Sequence, residues 1–105
     1  MSRFDVYANP GTHANTTPYL VDVQSDLFEG LDSRMVIPLR SLKYVPNVKL
    51  PIGLTPVVRV GAKDYLLETP KMGAVPARIL KKPVSSLSKE QAQIIAALDF
   101  LFQGY

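Results

Sequence analysis

Val57-Val-Arg-Val60, Gly61-Ala-Lys-Asp64 and Tyr65-Leu-Leu-Glu-Thr69 follow one another without a break. The outer two runs are rich in β-branched, aliphatic and aromatic residues, and the middle one is turn chemistry. Two short extended runs around a glycine-containing connection predict a β-hairpin, the clearest one in this chain. Upstream, Met35-Val-Ile-Pro-Leu39 reads as a short apolar strand. Its Pro38 has no amide donor, so it calls for an edge, a bulge or a strand end. Tyr19 to Gln24 is strand-like, and Arg3 to Tyr7 alternates polar and apolar residues as a first or edge strand would. Downstream, Met72 to Val75 runs into Pro76, and Ala77 to Leu80 reads as a last short strand. The connections are Asn9 to Pro18, Asp26 to Arg34 with Gly30, and Val45 to Pro56 with three prolines and Gly53. Short extended runs punctuated by turn residues predict a β-rich fold.

The final segment follows a different period. Ser88 precedes Gln91 by three positions, the capping-box spacing that satisfies free amides at a helix start. Glu90 suits the positive end of the helix dipole. Ile94, Ile95, Leu98, Leu101 and Phe102 then recur at three- and four-residue steps as one apolar stripe. Gly104 stands where a left-handed stop is wanted. The expectation is a mainly β chain with one C-terminal α-helix.

The chain has 105 residues, 47% of them hydrophobic and 20% charged. That length and composition predict one folded domain over residues 1–105. There is no cysteine, which excludes disulfides, zinc–thiolate sites and thiol chemistry. The start carries no apolar leader, and the most apolar run, Ile94 to Leu98, falls far short of the roughly 20 residues a membrane helix needs. A cytoplasmic location away from membranes is therefore expected. The net charge is +3, but from Arg34 to Lys89 eleven cations face only Asp64 and Glu68, a local charge of +9. Such an imbalance favours an acidic partner. The cations are scattered, unlike the clusters of nucleic-acid readers, so no sequence-specific nucleic-acid contact is expected.

Catalytic chemistry is poorly represented. His13, the one histidine, lies in a turn-rich loop, and a general base must be held in place to work. Asp22 and Asp26 lie four apart, which makes a weak acid/base pair. Solvated acids beside Arg34, or a turn cap, describe them better. Arg34, Arg59, Asp64 and His13 together supply the residue types of an RNA-cleaving site, but their spacing neither assembles nor excludes one. No catalytic residue, metal site or cofactor is expected. At the C-terminus, Phe102-Gln-Gly-Tyr105 is either a helix stop packing back on the helix or a recognition tip with an aromatic side chain.

Val21-Asp-Val-Gln-Ser-Asp26 and Arg34-Met-Val-Ile-Pro-Leu39 resemble signature segments of the CcdB toxins. Phe4-Asp-Val-Tyr7, Pro56-Val-Val58, Met72-Gly-Ala-Val-Pro76, and Leu87-Ser88 leading into the helix to Gly104 follow in the same order. The resemblance implies an SH3-like antiparallel barrel with a small extra sheet and a C-terminal helix. It implies a homodimer, not an enzyme, that binds the A subunit of DNA gyrase and traps the cleaved DNA complex. It also implies plasmid maintenance as the setting, and a cognate antitoxin that wraps the dimer with an acidic, disordered tail. The gyrase contact carries over to Leu27, Phe28, Asp99, Phe102, Gln103, Gly104 and Tyr105. Arg40, Lys43 and Lys49, in the basic middle, are the expected antitoxin contacts. The family ends in Trp-Gly-Ile. Here Gly104 matches, while Gln103 and Tyr105 depart, and glutamine forgoes the roughly 0.5–2 kcal/mol of an aromatic–arginine contact. The alternatives are a ribonuclease toxin of the same fold and a CcdB-like protein whose gyrase binding is lost or altered.

Overall fold

A computed structural model describes residues 2–28, 30–45 and 51–104. Among these residues, seven strands run β1 (Asp5–Ala8), β2 (Tyr19–Asp22), β3 (Ser33–Ser41), β4 (Val57–Val60), β5 (Lys63–Leu67), β6 (Gly73–Pro76) and β7 (Ser85–Ser86), followed by one α-helix, α1 (Gln91–Gln103). Every pairing is antiparallel. The order across the sheet is β4-β5-β3-β2-β1-β7, with β6 also on β3, and the sheet curls into a nearly closed barrel.

Strand periodicity sorts the side chains onto two faces. Val6, Val21 and Ile37 are register partners across β1, β2 and β3, and all three are fully buried in the main core. Tyr7 and Leu20, one residue along, point to the opposite face and form a second, smaller core with Val36 and Leu80. Both faces of the central strands are thus covered. α1 closes the main core with Ile94 and Ala97, backed by Ile95 and Leu98.

The predicted hairpin is present, with a tighter turn. Val60 pairs with Lys63, so only Gly61 and Ala62 make the connection. Gly61 has φ +62°, the left-handed backbone that primed two-residue turns demand at their first position. β3 is longer than its apolar run and sits at the centre. Its first half, Ser33–Val36, pairs with β6, and its last residues, Leu39–Ser41, pair with β5. Pro38 lies at this fork. Its carbonyl accepts from the Glu68 N–H at 2.9 Å, and a strand residue's N and C=O face the same way. The missing amide therefore faces Glu68 at the end of the β3–β5 ladder, where the Glu68 carbonyl takes the Lys71 N–H at 2.9 Å instead.

Four expectations shift. β1 begins at Asp5 because Phe4 has φ +72°, which removes it from a strand. Ala77–Ile79 is a single 3₁₀ turn, not a last strand; the Leu80 N–H closes on the Ala77 carbonyl instead of a neighbouring strand. The last strand is β7, two residues on the flank of β1. The capping box does not form. Ser88–Glu90 is a 3₁₀ turn leading into α1, with no side-chain cap. The Ser88 N–H donates to Ser86 Oγ at 3.2 Å, and the Glu90 N–H to the Leu87 carbonyl at 2.9 Å. Gly104 does adopt the expected left-handed stop, with φ +80° and its N–H on the Phe100 carbonyl.

Candidate target-binding site

Large apolar side chains are exposed at several places among the described residues, and two of these places hold the expected target contacts. The first is on the connection from β2 to β3. Asp26–Phe28 forms one 3₁₀ turn with none of its residues buried. Leu27 is 89% exposed and Phe28 55%. Leu31, next along, is also exposed. The turn is held by polar groups. The Leu27 N–H donates to Ser25 Oγ (3.2 Å), and the Arg3 N–H donates to Asp26 Oδ1 (2.8 Å). Gln24 Nε2 donates to the Phe28 carbonyl (3.2 Å).

The second cluster is the last turn of α1. Phe102 was expected on the buried stripe, yet it is 69% exposed. The stripe centres on Ile94 and Ala97, and Phe102, eight residues past Ile94, has rotated some 80° off that line. Asp99, Gln103 and Gly104 are exposed beside it. Asp99 lies three and four residues before Phe102 and Gln103, so the three share a helix surface. Tyr105 lies outside the described residues. The two clusters occupy different elements, and α1 itself packs on the turn Thr69–Lys71.

Beneath the first cluster lies a buried ion pair. Arg34 Nε and Nη2 reach Asp22 Oδ2 at 2.8 and 2.7 Å, and both side chains are fully buried. The Gln24 N–H donates to Asp22 Oδ1 at 3.0 Å. Burial pushes the Asp22 carboxyl above its ordinary pKa, against the opposing pull of Arg34 and the Gln24 amide. Asp22 is therefore not the solvated acid expected beside Arg34. Asp26 is exposed and accepts the Arg3 N–H, while Ser25 caps the turn through the Leu27 N–H. The two do not form an acid/base pair.

The four residues of the RNA-cleaving alternative do not meet as one set; only Arg59 and Asp64 are paired. Arg34 is sealed in the core, and Arg59 faces Asp64 at 3.8 Å on the exposed hairpin. His13 lines a cleft of about 370 Å³ with Thr17, Leu20, Pro38, Arg40 and Glu68. Ion pairing also redistributes the basic middle. Arg40 Nε lies 3.0 Å from the buried Glu68 carboxylate, and Lys71 Nζ lies 3.7 Å from it. Arg40, expected to meet an acidic partner, also pairs with Glu68. Lys43, Lys63, Arg78, Lys81, Lys82 and Lys89 are exposed. Lys43 and Lys63 share an open groove with Tyr44 and Tyr65. Lys49 lies outside the described residues.

A family model described as CcdB protein matches residues 3–104. The chain belongs to the CcdB family. The mainly β, nearly closed barrel with one C-terminal helix agrees with the CcdB fold. Membership supports the toxin half of a toxin–antitoxin pair. The match reaches Gly104, so it takes in the exposed end of α1 but not Tyr105. Among the described residues no helix is long and apolar enough to cross a membrane.

Leu27 and Phe28 were named from the CcdB resemblance, and the groups that hold them out were not. Ser25 and Asp26 carried a visible turn signal. The reach of Gln24 to Phe28 had none, because glutamine has no positional preference that marks such a bond. The Asp22–Arg34 pair was foreshadowed by opposite charges in two consecutive extended runs, but not its burial.

Proposed function

We propose that this CcdB-family protein is a gyrase poison. Its homodimer engages the A subunit of DNA gyrase through Leu27, Phe28 and the end of α1 (Asp99, Phe102, Gln103, Gly104 and Tyr105), and traps the cleaved DNA complex. A cognate antitoxin with an acidic, disordered tail neutralises it. The observation that carries the reading is Leu27. A leucine that is 89% exposed on a turn fixed by side-chain hydrogen bonds is a built projection, and exposed apolar groups held in place mark binding surfaces. Purified protein incubated with gyrase and supercoiled DNA should convert part of the DNA to a linear form on denaturation. Absence of linear product, with RNA degraded instead, would move the assignment to a ribonuclease.

A homodimer gives the two-fold symmetry needed to reach both arms of a gyrase dimer. Sedimentation at micromolar concentration should report twice the 11.6 kDa chain mass. A monomer at that concentration counts against the two-armed contact.

The acidic tail is assigned to the exposed lysines of the basic middle, with Lys43 and Lys63 in their shared groove as its anchors. Arg40 contributes less, because Glu68 offsets part of its charge. Charges of this kind steer encounter and are screened beyond about 8–10 Å at physiological ionic strength. The on-rate of the antitoxin tail should fall steeply between low and physiological salt, and Lys43→Ala should flatten that dependence more than Arg40→Ala. A salt-independent on-rate sinks the assignment.

A further inference from the structure

The turn that lifts Leu27 and Phe28 into solvent is three residues long and buries none of them. So short a 3₁₀ segment has no independent stability, and its shape has to come from outside. Its leading end is fixed by Ser25 Oγ and by the Arg3–Asp26 bond. Its trailing end is fixed by Gln24 alone among the described side chains. Nε2 of Gln24 donates to the Phe28 carbonyl at 3.2 Å, and that same carbonyl takes the Leu31 N–H at 3.2 Å. Oε1 of Gln24 accepts the Met35 N–H at 3.0 Å, at the start of β3. The amide orientation is settled by chemistry, since one end meets a donor and the other an acceptor. The Gln24 backbone is pinned as well. Its N–H meets Asp22 Oδ1 at 3.0 Å, and Arg34 Nη2 approaches its carbonyl at 3.5 Å. Gln24 therefore joins the buried Asp22–Arg34 pair, the start of β3 and the exposed turn.

We propose that Gln24 is a positioning residue that holds the Leu27–Phe28 turn in its presenting shape and so sets the affinity for the target that the turn contacts. The proposal rests on Leu27 and Phe28 being target contacts. An exposed loop held in its bound shape binds more tightly because less freedom is lost on association. Gln24 acts without touching the target.

Two substitutions test this. Gln24→Met removes both side-chain bonds. Gln24→Glu retains an acceptor for Met35 and loses the donor to Phe28. In both, hydrogen exchange at the Phe28 and Leu31 amides should quicken about 3- to 10-fold, the effect of one lost hydrogen bond, while the amides of β1 to β3 remain protected. Affinity for the gyrase A subunit should fall by a similar factor. In a Leu27→Ala/Phe28→Ala background, Gln24→Met should cause no further loss of affinity, because the contacts it positions are gone. A general structural role would lower affinity equally in both backgrounds, and that additivity overturns the proposal. Unchanged exchange at the turn with reduced affinity also overturns it, and leaves the Leu27–Phe28 contact standing. Faster exchange with unchanged affinity overturns the link to target binding and places the error in the assignment of Leu27 and Phe28.

Discussion

Arg34→Met is expected to cost about 3–5 kcal/mol of stability, because it strands the buried Asp22 carboxylate. Both side chains are fully buried and joined by two short contacts. Removing one partner leaves a charge in the core with neither water nor a counter-ion. Urea unfolding at neutral pH measures the loss. The sign with pH follows from Asp22. Its pKa is already raised by burial, and losing Arg34 raises it further. A carboxyl whose folded pKa exceeds its unfolded value contributes stability below the unfolded pKa and loses it as pH rises through the folded one. The deficit of Arg34→Met should therefore be greatest at neutral pH and shrink toward acid. Asp22→Leu combined with Arg34→Met should recover most of the deficit, since apolar replacements of a buried pair are often neutral or stabilising. Arg34 Nη1 finds no partner among the described residues, so the native pair is itself incompletely satisfied. A single substitution costing under about 1 kcal/mol would show that water reaches the site.

Deleting Gln103, Gly104 and Tyr105 is expected to abolish gyrase poisoning and leave the fold in place. Gln103 and Gly104 are exposed, and the core face of α1 is complete at Ile94, Ala97 and Leu98. The stability at stake is that of the helix stop, where the Gly104 N–H meets the Phe100 carbonyl at 2.9 Å. That is about 1 kcal/mol or less. A central interface residue is commonly worth 2 kcal/mol or more, about 30-fold in affinity. Trapping of cleaved DNA should thus fall at least about 30-fold, while dimer mass and antitoxin binding stay as they were. Gln103→Trp supplies the opposite arm. An aromatic against a gyrase arginine adds about 0.5–2 kcal/mol, so this variant should poison gyrase at lower concentration. A truncated protein as potent as the full chain would remove the end of α1 from the contact.

The parts of this fold legible in the sequence are those whose signal is local. Gly61 and its flanking apolar runs specify the β4–β5 hairpin, and the Ile94–Leu98 period with Gly104 specifies α1. The illegible parts depend on what the chain meets in space. β3 extends over Ser33, Arg34, Arg40 and Ser41, polar residues that no propensity assigns to a central strand. They are extended because β6 and β5 pair with them, and tertiary pairing outranks local preference. Ala77–Leu80 has strand composition but follows Pro76 at a corner, and it turns instead. Phe102 fits the helix period yet lies past the last core contact. For the candidate site, Leu27, Phe28 and the end of α1 were reached through the CcdB resemblance. The pairing of Arg40 with Glu68 had no local signal, because the two lie twenty-eight positions apart in sequence. Charge counted along a chain does not show which charges cancel across it.

The fork in β3 governs the order in which the molecule can be assembled. β3 is made early, while β5 and β6, which divide one of its edges between them, are made only by Pro76. A chain emerging N-terminus first has β1, β2 and β3 together with one flank of β3 still open, its amides and carbonyls free to pair with any passing strand. Closure waits for non-local pairing, the slow kind of contact. α1, whose Ile94 and Ala97 seal the main core, comes last of all. The segment that seals the main core also bears part of the proposed gyrase contact, so an unfinished chain already displays Leu27 and Phe28 but lacks both a sealed core and the second half of its weapon.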